Sequence, residues 1–523
     1  MPSKKNKFAF LKTKEFKLFL TVWMVYIFYI QMFYSSSMSN SNSALAASIV
    51  NEGRFEIDTY HRTTVDVALY NGHYYSGMNP GISFISVPFY AAGKAIFYLF
   101  PDKYVDFFYE KIDAYGESLP VDFYGNKKKI SNYLPDLNKK QALEHIFIST
   151  FILPTFTTTL FSALSALFLY LILKKFTNNE KIRMLITLLY AFGTLIFPLS
   201  TEFFQRPIAV AFTFAAFFIL FKIKHKEIRQ THTALFAAGL LAGLSVWFDY
   251  YHIIAAGLLF IYLLTFNIKY KNFNLSALLE YIIAVLISVL LILLYNYVAF
   301  DNPFSTPYSY RIIVDYHISG LSQIQLPSIQ TIIRLFEFFL YSPIVLFALY
   351  GLYKAISKKD DYYHEALGVG IFFILTFIYA TFLAITYLPY SPSSHKRYML
   401  PIVPYLMIFL SYAITNKRIL NKKSKIKGIV LIIGIISVFF NWTAAQYGGH
   451  QALTQYDLDE NKFLAGLKFF QNGPSSAFLR TLGGIFSVNV LLLNLIGLVA
   501  LFLIILLIWR PYFRRRHQIA LKT

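Results

Sequence analysis

The feature that most constrains this chain is a succession of apolar runs of nearly uniform length. They fall at about 18–34, 142–173, 184–201, 206–221, 232–248, 250–267, 276–299, 335–353, 365–388, 398–415, 428–446 and 485–509. A helix needs about 20 consecutive apolar residues to cross the hydrocarbon of a bilayer, so these runs predict about twelve spans. Backbone N–H and C=O groups find no water in hydrocarbon, which leaves helices or a closed barrel, and the runs show no strand-like alternation. Only 14% of the residues are charged against 56% hydrophobic, whereas a soluble domain carries about 25% charged residues. The predicted fold class is an all-α polytopic membrane protein, a single integral membrane domain over 1–523.

The net charge of +21 would suit a nucleic-acid binder, but its placement points elsewhere. Basic clusters follow alternate runs: Lys174-Lys175, Lys222/Lys224/Lys226, Lys269/Lys271, Lys358-Lys359, Lys417 to Lys427, and Arg510/Arg514/Arg515/Arg516. This is the asymmetry by which cytoplasmic ends orient spans, so membrane lipids are the expected partner and nucleic acid is not. Six lysines between Lys4 and Lys17 precede the first run, which lacks a small-residue cleavage site and reads as an uncleaved helix. Both termini are then cytoplasmic, in a multi-pass protein of the cell membrane. Two sizeable segments lie outside, 35–141 and 447–484. Within the first, Ile82–Phe100 is apolar but broken by Lys94, and reads as a helix lying in the interface.

Chemistry concentrates in the first outer segment. Residues 51–90, NEGRFEIDTYHRTTVDVALYNGHYYSGMNPGISFISVPFY, place Asp58 and Asp66 among His73, Tyr74 and Tyr75. Carboxylates able to take a hydroxyl proton, beside flat aromatic faces for a sugar ring, are what glycosyl transfer requires. For either Asp the competing role is a helix cap or a partner to Arg54 or Arg62. Two basic groups sit at outer ends of spans: Arg206 in Gln205-Arg206-Pro207, and His395-Lys396-Arg397-Tyr398. They are candidates to neutralise a phosphate, with interfacial anchoring as the alternative. The 11 histidines are scattered, no metal-ligand spacing occurs, and cysteine is absent. No Walker loop, GxSxG elbow or HExxH is present, so those reaction classes are unsupported.

The stretch from Ile57 to Tyr90 resembles the first outer loop of the membrane-embedded type C (GT-C) glycosyltransferases, the group of the protein O-mannosyltransferases and the bacterial aminoarabinose transferase. Arg397-Tyr398-Met399-Leu400-Pro401 is similar to that group's Gly-x-Arg-Tyr segment, and looser matches run through Gly193 to Pro198, Leu241 to Tyr250 and Tyr295 to Phe304. The resemblance implies a GT-C-like bundle with interfacial helices in the first outer loop, and an extracytoplasmic active site. It also implies a polyprenyl-phosphate-linked sugar donor, a lipid, glycan or protein acceptor, and neither metal nor cofactor. Two departures stand out. Ser35 to Ser43 holds no acid where that group places its catalytic one, leaving Asp66 or Asp58 as base, and Met78 replaces the lysine that contacts the carrier phosphate. A non-catalytic binder of lipid-linked sugar and a transporter or flippase are the rival readings. The latter would keep ionisable residues at mid-membrane in two related halves, a pattern this sequence lacks.

The absence of cysteine makes the topology directly testable. Single cysteines replacing Lys127 and Asn472 are expected to react with a membrane-impermeant maleimide on intact cells, and one replacing Lys422 only after permeabilisation.

Overall fold

The computed structural model describes residues 12–32, 36–118, 129–269, 275–313, 316–317, 329–386, 392–414, 425–447 and 476–520. The chain is mostly helical. Among the described residues seven helices are long and apolar enough to cross a membrane, or nine if each of two bent pairs counts as one span. The multi-pass architecture therefore stands, while the runs at 18–34, 184–201, 232–248 and 250–267 form helices of 15, 14, 17 and 17 residues. At 1.5 Å per residue these are about 21–26 Å long, short of the roughly 30 Å hydrocarbon core.

The helices that organise the functional end are α1 (Lys14–Phe28), α2 (Ser37–Glu52), α3 (Gly81–Tyr98), α4 (Val105–Ser118), α5 (Lys139–Phe176), α6 (Glu180–Gly193) and α7 (Ile196–Ser200). They continue with α8 (Gln205–Lys224), α9 (His232–Phe248), α10 (Ile253–Lys269), α11 (Leu275–Phe300), α12 (Ile329–Tyr341), α13 (Ile344–Lys358), α14 (Tyr363–Thr386) and α15 (Val403–Ile414). The last follows a 3₁₀ segment, Pro392–Ile402.

Two apolar runs that read as continuous are broken. The 184–201 run stops at Gly193 and restarts as α7, and the 335–353 run turns by 103° at Ser342-Pro343 between α12 and α13. Proline supplies no N–H to continue the first helix, and its ring disfavours helical geometry in the residue before it. Helix α3, expected in the interface, ends before Pro101, and the next helical piece leaves at 92°.

Side-chain exposure separates lipid-facing from protein-facing surfaces. On α11, Leu279, Ile283, Leu286, Leu290 and Leu294 form an exposed stripe, while Tyr281, Ala284, Ser288 and Ile292 are buried. Such a stripe suits hydrocarbon. The buried face packs on α9 through Gly239 and Gly243: a Cβ at Gly239 would run into the Tyr281 carbonyl, and one at Gly243 would lie 2.6 Å from Ser288 Oγ. Small residues four apart let two backbones approach, the main source of helix association where the solvent is itself apolar.

The all-α expectation misses one small element. Strands β1 (Val67–Tyr70), β2 (His73–Ser76), β3 (Arg311–Ile313) and β4 (Tyr316–His317) form an antiparallel sheet in the order β2-β1-β3-β4. Strands β1 and β2 are joined by Asn71-Gly72, with φ of 50° and 84°. Positive φ at both central positions is the geometry whose twist matches a two-residue hairpin, and Asn-Gly adopts it at least strain.

The close approach of α9 and α11 sets a measurable expectation. Gly239→Val is expected to destabilise the purified protein by about 1–3 kcal/mol, the cost of overpacking. Gly257→Ala, where an added Cβ meets nothing within 4 Å, is expected to leave the thermal midpoint unchanged or slightly raised.

Candidate functional site

Residues 36–43 hold Met38 as their one strong helix former, yet they fold as the N-cap and first turns of α2. Ser36 caps the helix by accepting from Ser39 N–H at 3.4 Å, and Asn40 to Ser48 are all buried. Propensity alone would not hold this helix; tertiary hydrogen bonds do. Asn40 Nδ2 donates to the Thr63 carbonyl at 2.8 Å, and Ser41 Oγ donates to the Asp66 carbonyl at 2.6 Å. Asn42 Nδ2 donates to Gln205 Oε1 at 3.1 Å, tying α2 to the start of α8.

Asp66 lies where this helix meets the sheet. Its N–H donates to Ser37 Oγ at 3.2 Å and to Thr64 Oγ1 at 3.0 Å. Its side chain is 7% exposed and forms an ion pair with Arg311, whose side chain is 10% exposed. The sheet explains the meeting: Ala68 faces Arg311 across the β1–β3 pair, so Asp66, two residues earlier, is Arg311's diagonal neighbour on the same face. Arg311 was missed in the sequence because strand pairing, not local pattern, selects it.

Asp58 is placed differently. Its Oδ1 accepts from the Tyr74 N–H at 2.7 Å, its Oδ2 lies 2.8 Å from His73 Nδ1, and Arg54 Nη1 stands 3.9 Å away. Both oxygens thus clasp the start of β2. The aromatic residues are drawn into the same hairpin. Tyr74 stacks on His61 at 4.1 Å between ring centroids. Tyr75 is buried beside Phe300, with its hydroxyl donating to Glu56 Oε1 at 3.2 Å. Burial, and then the negative Glu56, push the Tyr75 phenol above its ordinary range. Tyr75 therefore belongs to the hairpin's core and presents no ring face for sugar, while His73 is exposed at its tip.

The two cationic candidates converge. Arg206, the second residue of α8, donates through Nε to Asp249 Oδ2 at 2.9 Å, just beyond α9. Its guanidinium carbon sits 3.8 Å from the centre of the Tyr398 ring, and that of Arg397 lies 5.5 Å from the same ring. Such distances give a cation–π attraction that strengthens when water is excluded. Arg206 and Arg397 are both buried, and Arg397 Nη1 contacts Met38 Sδ at 3.8 Å, one residue from the Ser37 that anchors Asp66. Lys396 turns away from this cluster to Glu337 Oε2 at 3.0 Å, with its ammonium 4.1 Å from the Tyr341 ring. The backbone of His395 lies in the 3₁₀ segment; its side chain falls outside the described residues.

Around the arginines, several buried donors have no hydrogen-bond partner among the described residues: Arg206 Nη1, Asn79 Nδ2 and Tyr250 OH. Asn79 and Tyr250 share a neighbour in Tyr308, whose hydroxyl donates to Asn79 Oδ1 at 2.7 Å and whose ring lies 6.2 Å from that of Tyr250. Buried donors are normally satisfied, so this set is suited to a ligand rich in acceptor oxygens. Met78, at the position where a lysine was expected, accepts from Gln205 Nε2 through sulfur at 3.7 Å and contributes no charge. Among the described residues no group of three His, Asp or Glu side chains has the geometry to hold a metal ion.

No protein-family model, no curated protein and no solved structure matches this chain.

The Arg206–Asp249 pair makes a sharp prediction. Asp249→Leu alone leaves a buried guanidinium without its carboxylate and is expected to cost about 3–5 kcal/mol of stability. Adding Arg206→Met is expected to recover most of that loss in the same thermal-unfolding measurement.

Proposed function

We propose that this protein transfers a sugar from a polyprenyl-phosphate carrier to an acceptor hydroxyl on the extracytoplasmic side of the membrane. One observation carries the reading: Arg206 and Arg397, from distant parts of the chain, gather around Tyr398 against the same turn of α2 that anchors the buried Asp66. A phosphate leaving group needs cations already in place where its charge develops, and the nucleophile needs a base on the other side of the sugar.

The step balances without a metal or cofactor. The acceptor oxygen attacks the anomeric carbon from the face opposite the phosphate, and its proton passes to an Asp66 oxygen. The bond from the anomeric carbon to the phosphate oxygen breaks, and its electron pair stays on the carrier phosphate, which leaves as a dianion beside Arg206 and Arg397. Single displacement inverts the anomeric centre. Asp66 serves better than Asp58 because both Asp58 oxygens already hold β2, so the expected site is Asp66 as base with Arg206 and Arg397 as phosphate ligands. Lys396, paired with Glu337, acts at most from a distance. A non-catalytic binder of lipid-linked sugar is the second reading, favoured by the engagement of Asp66 with Arg311.

Release of carrier phosphate from polyprenyl-phosphate sugars by the purified protein tests the proposal. Asp66→Asn is expected to lower kcat by about 10²–10⁴-fold, the range for loss of a general base, while Asp58→Asn changes it by no more than about tenfold. Arg397→Ala is expected to act mainly on donor KM. Equal turnover by wild type and Asp66→Asn would remove the assigned base. Saturable donor binding with no bond cleavage would leave the binder.

A further inference from the structure

We infer that Arg311 is a phosphate ligand that exchanges the Asp66 carboxylate for the carrier phosphate, so that the base is uncovered only when donor is bound; this rests on the glycosyl-transfer reading above. In the structure the guanidinium and the carboxylate are partners, both nearly excluded from solvent. A carboxylate held by a guanidinium is a weak proton acceptor, because the positive charge favours its ionised form. As it stands, the pair accounts for the burial of Asp66 but not for its use as a base.

The surroundings of Arg311 supply the second partner. Its guanidinium carbon lies 5.9 Å from the centre of the Tyr308 ring. Tyr308 reaches Asn79 through its hydroxyl and also neighbours Arg397. Arg311 therefore holds Asp66 on one side and adjoins, on the other, a tyrosine whose charge is felt by Arg397. Its backbone is fixed by pairing with Ala68, whereas its side chain is a long stem able to redirect its head without moving the strand. The planar fork of a guanidinium fits a carboxylate and a phosphate about equally well, so exchanging one for the other keeps the buried cation paired throughout.

The resulting sequence is ordered. Before donor arrives, Arg311 masks Asp66, and water or an acceptor entering early meets no free base. Donor brings a singly charged phosphodiester beside Arg206 and Arg397, and Arg311 turns to it. Asp66 is then free to accept the proton of the attacking hydroxyl. As the bond to the sugar breaks, the second negative charge of the departing phosphate develops against Arg311. Departure of the carrier phosphate restores the Asp66–Arg311 pair.

The exchange predicts opposite effects from its two members, which a purely structural ion pair would not produce. The experiment titrates polyprenyl monophosphate into the full-length protein in lipid nanodiscs, reads binding by thermal stabilisation, and uses the corresponding polyprenol as control. Since Asp66 and phosphate compete for one guanidinium, Asp66→Asn is expected to bind the monophosphate about tenfold more tightly than wild type, by reciprocity of linked equilibria. Arg311→Gln is expected to bind it at least about tenfold more weakly. The double variant Asp66→Asn/Arg311→Gln, which buries a neutral pair, serves if either single variant fails to fold, and is likewise expected to bind about tenfold more weakly than wild type. Wild-type affinity in the double variant, or no tightening in a folded Asp66→Asn, overturns the exchange while leaving the glycosyl-transfer reading intact. If wild type distinguishes polyprenyl monophosphate from polyprenol in no assay, the functional reading itself fails.

Discussion

A charge placed in a water-poor helical bundle has to meet its opposite inside the protein, and that requirement shapes both ends of this molecule. At one end Asp249 holds Arg206, and Asp66 holds Arg311. At the other, Glu365 is 1% exposed at its side chain and receives Lys224 at 3.0 Å, His225 at 2.9 Å and the Tyr262 hydroxyl at 2.8 Å. That cluster joins the far end of α8 to α14, so a single helix is pinned at both of its ends. Buried pairs of this kind add little net stability over an apolar replacement, yet losing one member is costly. In this chain they fix which helices are neighbours.

The carboxylates of Asp58 and Asp66 illustrate how environment divides roles between similar residues. Asp58 and Asp66 stand eight positions apart in one loop, and both were candidates for the base. The hairpin separates them. Asp58 faces the start of β2, where a backbone N–H and a histidine occupy its oxygens. Asp66 is the residue before β1, buried against Ser37 and Thr64, with a single guanidinium from another strand. A partner that is itself a long, redirectable side chain can be traded for a ligand; a backbone N–H in a strand cannot.

Helix α2 connects these groups to the bundle. Its run of serines and asparagines would be unstable as an isolated helix, but Asn40 and Ser41 bond to the segment leading into β1, Asn42 bonds to α8, and Ser83 of α3 donates back to the Asn42 carbonyl at 2.8 Å. The polar segment around α2 and the apolar helices are thereby one hydrogen-bonded body. The acid-free stretch after the first helix acts as a scaffold that positions Asp66 near Arg397.

Much of the architecture was legible in the amino-acid order. Apolar runs of bilayer length without strand-like alternation determine a helical, multi-pass chain, since helices then satisfy the backbone in hydrocarbon, and Arg206 and Arg397 stood out as charges at span ends. The Asn71-Gly72 turn between alternating residues carried a hairpin signal as well, though the sheet went unread. What only the tertiary structure decided is which charges meet. Local periodicity reports the environment of a residue along its own element, whereas the pairs Asp66–Arg311 and Arg206–Asp249, and the shared ring of Tyr398, depend on strand register and helix packing between segments far apart in the chain. A buried charge left alone is costly, so such pairing is decided only once the whole chain has packed.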